Sequence, residues 1–170
     1  MKMKNIGWIR CGVLLLLICL ALSLCGCTPA LSSEDPQPSA PSLALPYRNA
    51  NIAIGNPVEP LLEVLGNDYT LQEAASCAGI GKDYVYSYPS LRLYVFAPEN
   101  GEAVVTSACY TDDGVAMNGV AIGSSAAVAI EQFGTPAEQT ESKLAYHGGK
   151  AVLTLTLRDG VITGIVLSEK

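Results

Sequence analysis

Two stretches of this chain repeat one another at a spacing of 68 residues, and that limits the folds open to it. Ile52-Ala53-Ile54-Gly55 matches Val120-Ala121-Ile122-Gly123, and Gly66 matches Gly134. Between these markers Leu62, Glu63 and Leu65 coincide with Ile130, Glu131 and Phe133. A chain with this internal spacing predicts one small supersecondary unit used twice.

Each copy reads as a short helix followed by strands. Asn56 or Ser124 follows the glycine and is placed to cap a helix. Pro57 then falls at the first helical position, where a missing N–H costs little. Val58, Leu61, Leu62 and Leu65 recur at helical spacing and predict one buried stripe. Gly66 and Gly134 are read as left-handed helix ends. Alternating apolar residues predict strands at Tyr84–Tyr88, Leu91–Phe96 and Ala103–Tyr110, and at Lys143–His147, Ala151–Leu157 and Val161–Leu167. Gly148-Gly149 predicts a two-residue hairpin, and a short extra strand is expected near Ala74–Cys77. The fold class is therefore α+β: two tandem helix-plus-antiparallel-meander units related by a pseudo-twofold, over residues 50–117 and 118–170, with helices packed on antiparallel sheet.

The N-terminus reads as an address. Lys2, Lys4 and Arg10 precede an apolar run from Cys11 to Leu24, too short for a comfortable membrane span. Leu24-Cys25-Gly26-Cys27 resembles the lipobox of bacterial lipoproteins, with Cys25 larger than the usual residue at its place. The resemblance implies a signal peptide over residues 1–26, a diacylglyceryl thioether on Cys27 and cleavage before it. Two or more acyl chains hold a protein stably on a membrane. The expected location is extracytoplasmic, lipid-anchored to the cell membrane. Residues 27–49 then form a tether, with proline at 29, 36, 38, 41 and 46.

Loss of 26 of the 170 residues leaves seven basic against 16 acidic side chains, a net charge of −9. Such a balance, without any basic stripe, excludes nucleic acid as a natural partner and disfavours docking on anionic lipid heads. Cys77 and Cys109 are the two cysteines left as ordinary thiols. Outside the cytoplasm they can pair in a disulfide, or they can pack as small buried hydrophobes.

Few residues carry a chemical signal. His147 is the sole histidine and has no ligand or triad partner at sequence spacing. Asp112-Asp113-Gly114 pairs two carboxylates but lacks the further acids of a calcium loop, and it reads as a turn. Cys77 would need a base to act as a nucleophile, and His147 is the one histidine that could serve. No catalytic residue, metal ligand set or cofactor is expected. Tyr84, Tyr86 and Tyr88 share one face of a strand, with Tyr94 and Tyr110 able to extend it. Aromatics on an open sheet face make binding anchors, and under a helix they are core.

The order of Ile-Gly, short helix, Gly-Thr-Pro, tyrosine-bearing hairpin and Asp-Gly-Val-Ile-Thr-Gly-Ile resembles the tandem-repeat fold of β-lactamase-inhibitor-like proteins. It also resembles the small lipoprotein of the outer-membrane β-barrel assembly machine. Ala75-Ser76-Cys77-Ala78, Gly81-Lys82-Asp83-Tyr84-Val85-Tyr86 and Tyr110-Thr111-Asp112-Asp113 resemble an uncharacterised, clostridial-type group of small lipoproteins of Gram-positive anaerobes. Ala78-Gly79-Ile80 lacks an aromatic expected there, and Cys109 stands where an aliphatic is expected. The resemblance implies a protein-binding role and no catalytic residue. The expectation is a membrane-anchored, non-enzymatic module that binds an envelope protein through the tyrosine face. The alternative is an extracytoplasmic hydrolase or small-ligand-binding lipoprotein.

Overall fold

A computed structural model describes residues 43–77 and 79–170. Cys27, the signal segment and most of the tether lie outside the described residues.

The sheet has eight antiparallel strands. In chain order they are β3 (Thr70–Ala75), β4 (Gly81–Tyr88), β5 (Leu91–Pro98), β6 (Val104–Tyr110), β9 (Glu138–Gln139), β10 (Lys143–Gly148), β11 (Ala151–Arg158) and β12 (Val161–Glu169). Across the sheet they run β3-β4-β5-β6-β12-β11-β10-β9. Two hairpins stand apart from it: β1 (Ala44–Tyr47) with β2 (Ala50–Ala53), and β7 (Ala116–Met117) with β8 (Val120–Ala121). The helices are α1 (Val58–Leu65) and α2 (Ala126–Phe133). The expected α+β class and strand positions hold, and the extra strand is β3.

Strict alternation makes the sheet one-sided. Leu91, Leu93, Val95, Ala108, Leu153, Leu155, Ile165 and Leu167 are buried on one face. Val58, Leu61 and Leu65 of α1 belong to the same core. Burying a side chain of this size contributes about 1.5–3 kcal/mol. Helix α2 buries only Ala129, with Ile130 and Phe133 half-covered, so it packs more lightly.

The same backbone contacts occur at the start of each of the two central strands, β6 and β12. Gly55 N–H donates to Val105 and Gly123 N–H to Ile162, each at 2.8 Å. Val58 N–H donates to Ala103 and Ala126 N–H to Gly160, each at 2.9 Å. The register slips once in each half, leaving Thr106 and Thr163 as the extra residues of two bulges. At the centre β6 and β12 pair through Cys109 opposite Val166.

Four local expectations are corrected. Asn56 and Ser124 do not cap the helices: Asn56 Oδ1 accepts from Ala53 N–H at 2.7 Å, and Ser124 Oγ from Ala121 N–H at 3.0 Å. Both close the turn before the helix, an alternative always open to short polar side chains. The N-cap positions are Pro57, which places that proline one residue before the expected first turn, and Ser125, whose hydroxyl accepts from Val128 N–H. Gly66 and Gly134 end the helices at φ 75° and 79°, but with extended ψ of −175° and −160° rather than a helical value. The β10–β11 turn falls on Gly149-Lys150, with Gly148 in the strand opposite Ala151. The ordered chain also starts before Ala50. Leu45 and Tyr47 of β1 are core residues, so the fold takes in part of the expected tether.

Candidate binding surfaces

The tyrosines divide between the two sides of the sheet. Tyr88, Tyr86 and Tyr84 stand opposite Leu91, Leu93 and Val95, and so share the core-facing side. Tyr86 and Tyr88 retain 8% and 5% of their exposure, and Tyr84 packs half-buried against the core. The expected tyrosine binding face is corrected accordingly. It is core because residues outside the meander cover it.

That cover is specific. The Tyr69 ring lies 5.0 Å from Tyr86 and 5.2 Å from Tyr88, and Tyr47 lies 6.0 Å from Tyr88. The Arg48 guanidinium sits 5.3 Å from the Tyr47 ring centre and 5.5 Å from that of Tyr88. It donates to Leu65 C=O at 2.5 Å and pairs with Asp68 at 3.0 Å. The Tyr47 hydroxyl donates to Pro89 C=O. The Tyr88 hydroxyl donates to Gly66 C=O at 3.0 Å, locking β4 to the end of α1. Burial pushes the Tyr88 phenol up to about 12.

Tyr94 points the other way. One cross-strand row on the outer side runs Val85, Tyr94, Ser107, Ser168, Val152, His147. The next runs Ser87, Arg92, Cys109, Val166, Thr154, Ala145. These rows cross six strands, about 24 Å at normal strand spacing. Val85, Tyr94, Phe96, Val152 and Val166 are half-buried and lie outside the core cluster. A depression of 460 Å³ opens beside Tyr94, bounded by Asp83, Val85, Phe96, Thr106 and Glu169 among others. The surface is mixed: aliphatic and aromatic carbon interleaved with small hydroxyls and one guanidinium. Tyr110 belongs to the core side, where burial pushes its phenol up to about 12 and its hydroxyl donates to Pro46 C=O at 2.5 Å.

A second concavity lies on the core side, in the half carrying α2. This cleft of 760 Å³ is walled by Phe133, Ala137, Tyr146 and Leu153 from below and by Leu43, Pro46, Asn51, Met117 and Asn118 from the hairpins. Tyr146 is 6% exposed, and its hydroxyl is buried without a hydrogen-bond partner among the described residues. The Phe133 ring meets it edge-on at 5.5 Å. Nothing in the linear order of the chain isolates this site. Its one signal was Ala137 standing 68 residues after Tyr69.

The chemically distinctive residues do not converge. His147 is exposed on the outer side of the sheet, with Nε2 4.0 Å from Glu138 Oε1. Glu138 also accepts from Lys143 at 2.6 Å, and that ammonium holds its carboxyl below the usual range. Cys77 sits past the far end of β3, six strand spacings from the strand of His147, about 29 Å. Cys77 and Cys109 are both free thiols. Ala75 aligns through Lys82 with Ala97, while Cys109 aligns with Arg92. Five residues of strand, roughly 17 Å, separate those levels, and a disulfide needs Cα atoms within about 7 Å. Of the two alternatives for these thiols, this register does not allow the disulfide, and Cys77 is exposed rather than packed as a buried hydrophobe. Asp112 accepts from Gly114 N–H at 2.8 Å, the turn geometry expected of it, and a hydrogen bond from Ser90 lowers its pKa. Among the described residues no group of three or more acids, cysteines and histidine gathers as a metal site, and no helix is long and apolar enough to cross a membrane.

No family model matches the chain, and no curated protein matches it. Among solved structures it is similar to an extracellular protein containing a SCP domain from Bacillus anthracis str. Ames, a 1.5 Å crystal structure. The two are 13% identical with a TM-score of 0.39. The match covers 69% of this chain and 44% of the other, so the chain spans less than half the length of that protein.

Proposed function

We propose that this chain is a lipid-anchored extracytoplasmic module, built from two copies of one helix-plus-meander unit, that binds an envelope protein and catalyses no reaction. The observation that carries the reading is the outer side of the sheet. There Val85, Tyr94 and Val166 lie on a six-stranded face on whose two central rows Ala145 alone is buried. Half-buried aromatic and aliphatic carbon among small hydroxyls suits a protein surface that forms and releases contacts.

The repeat reading is supported by the paired contacts at Gly55 and Gly123, the paired bulges at Thr106 and Thr163, and the mirrored strand order. The anchor reading is supported by Leu24-Cys25-Gly26-Cys27 after a charged and then apolar leader. The enzyme alternative loses support because Cys77 and His147 stand on different strands far apart.

Two measurements test the proposal. Mass analysis of the chain recovered from membranes is expected to start at Cys27 with added lipid, and a Cys27→Ser chain to keep residues 1–26. Cross-linking in native membranes is expected to capture one partner with the wild-type chain and to lose it with Tyr94→Glu. An unlipidated wild-type chain would overturn the anchor. Unchanged capture by Tyr94→Glu would overturn the binding face.

A further inference from the structure

The two edges of the sheet are not alike. At one edge β9 is two residues long, follows Pro136 closely and carries the Glu138–Lys143 ion pair. Shortness, proline and charge are the usual means of blunting an edge strand. At the other edge β3 runs for six residues, all of them exposed, with neither proline nor bulge. Its one charge, Glu73, is held by Lys82 at 2.8 Å. Leu71 is 48% exposed there, on the core side opposite Tyr86.

The ladder fixes which groups are open. Ser76 N–H donates to Gly81 C=O at 3.1 Å, so the hydrogen-bonded pairs with β4 recur at Ala74, Gln72 and Thr70. Leu71, Glu73 and Ala75 therefore turn N–H and C=O away from β4. These backbone groups have no partner among the described residues. A straight row of this kind accepts a further strand.

We infer that β3 pairs antiparallel with β3 of a second copy of this chain, about a twofold axis at Gln72. Open N–H and C=O groups face each other over most of the strand in two registers, one centred on Gln72 and one on Glu73. Centring on Glu73 sets two carboxylates directly opposite each other, which is unfavourable. Centring on Gln72 sets Glu73 opposite Leu71 of the second copy and Thr70 opposite its Ala74, so no like charges face. That axis is perpendicular to the sheet, and the two outer sides become one surface. The row Tyr94, Val85, Gln72 then continues into Gln72, Val85 and Tyr94 of the second copy. Leu43, packed on the core side, lies on the same side of the paired sheets in both copies. A single six-residue strand pair is smaller than the roughly 1,200 Å² of a stable interface. Copies held on one membrane meet at a high effective concentration. The inference thus rests on the anchor reading above and is independent of partner capture through Tyr94.

The test is cysteine pairing in the full chain within its native membrane, on a background of Cys77→Ser and Cys109→Ser that serves alone as the blank. Gln72→Cys sets two thiols across the axis at a non-hydrogen-bonded pair, with Cα atoms about 4.5 Å apart, within disulfide reach. Thr70→Cys is equally exposed, but its two copies stand four residues out of register, about 14 Å apart. Mild oxidation is expected to give a disulfide-linked dimer from Gln72→Cys, about tenfold above Thr70→Cys. Added to Gln72→Cys, Leu71→Glu sets a carboxylate opposite Glu73 and is expected to cut the yield about tenfold, while Leu71→Lys sets an ammonium there and keeps it. Both variants lose the leucine, so an apolar role alone would not separate them. A lipidated chain with equal yields from positions 72 and 70 would overturn the inference. So would equal yields from Leu71→Glu and Leu71→Lys. Either result leaves the anchor and the Tyr94 surface standing. An unlipidated chain would overturn the anchor and this inference together, and failure of capture at Tyr94 leaves the cysteine readout untouched.

Discussion

The hydroxyl of Tyr88 donates a 3.0 Å hydrogen bond to the carbonyl of Gly66, and the buried hydroxyl of Tyr146 has no partner among the described residues. Two buried tyrosines on the same side of the sheet thus stand in opposite energetic positions. Removing the hydroxyl should separate them. Tyr88→Phe is expected to lose about 0.5–1.5 kcal/mol of stability, and Tyr146→Phe to be neutral or slightly stabilising. Urea unfolding of the two variants measures the difference. Equal losses would mean that Tyr146 has a partner after all.

The helix ends supply a second matched pair. Gly66 and Gly134 combine positive φ with extended ψ, a region essentially reserved for glycine. An added Cβ would meet nothing at Gly134, and at Gly66 only the tip of Arg48 at 4.0 Å. The cost of alanine is therefore conformational at both sites, about 1–3 kcal/mol each. Gly66→Ala and Gly134→Ala should destabilise by similar amounts in the same urea experiment. A loss confined to one would show that crowding, not backbone conformation, sets it.

How much of this was legible beforehand depended on the kind of signal. The long strands were, because Leu91-Leu93-Val95 and Leu153-Leu155-Leu157 alternate without a break. Helix α1 was, because Val58, Leu61 and Leu65 make one stripe. Strand β1 was not: Ala44-Leu45-Pro46-Tyr47 is four residues long with a proline, and next to a proline-rich tract it reads as tether. Which side of the sheet is open was not legible either. Alternation separates Tyr84, Tyr86 and Tyr88 from Tyr94, but which set is covered depends on Tyr47, Arg48 and Tyr69, and these arrive from outside the meander. The cleft beside Tyr146 is defined by side chains that are small, and a small residue gives no signal until its counterpart is known.

Alkaline titration should report the buried phenols. Tyr88 and Tyr110 are pushed from the usual 10 up to about 12 by burial. Between those values the unfolded chain loses phenolic protons that the folded chain keeps, so the unfolded state binds fewer protons and stability falls as pH rises. Their contribution is fully present below about pH 10 and lost as pH climbs through about 12. Absorbance near 295 nm should show Tyr88 and Tyr110 ionising only well above pH 10, with Tyr86 and Tyr146 also shifted upward by burial. Titration of all tyrosines near pH 10 with the fold intact would contradict the burial.

The two thiols should behave as strangers. Cys77 is exposed, while Cys109 lies half-buried in the sheet, its pKa raised by desolvation despite neighbouring Arg92. Alkylation without reductant, followed by peptide mapping, should label Cys77 in the native chain and Cys109 chiefly after unfolding. A cross-linked Cys77–Cys109 peptide would contradict the strand register.

The most direct test of the account places a photoactivatable residue at 94, on the open face, or at 63, exposed on α1, in the full chain within its native membrane. The account predicts one discrete adduct from position 94, lost on Val166→Glu, and none from position 63. Adducts of equal yield from both positions, or from 63 alone, would contradict a partner held on the Tyr94 face.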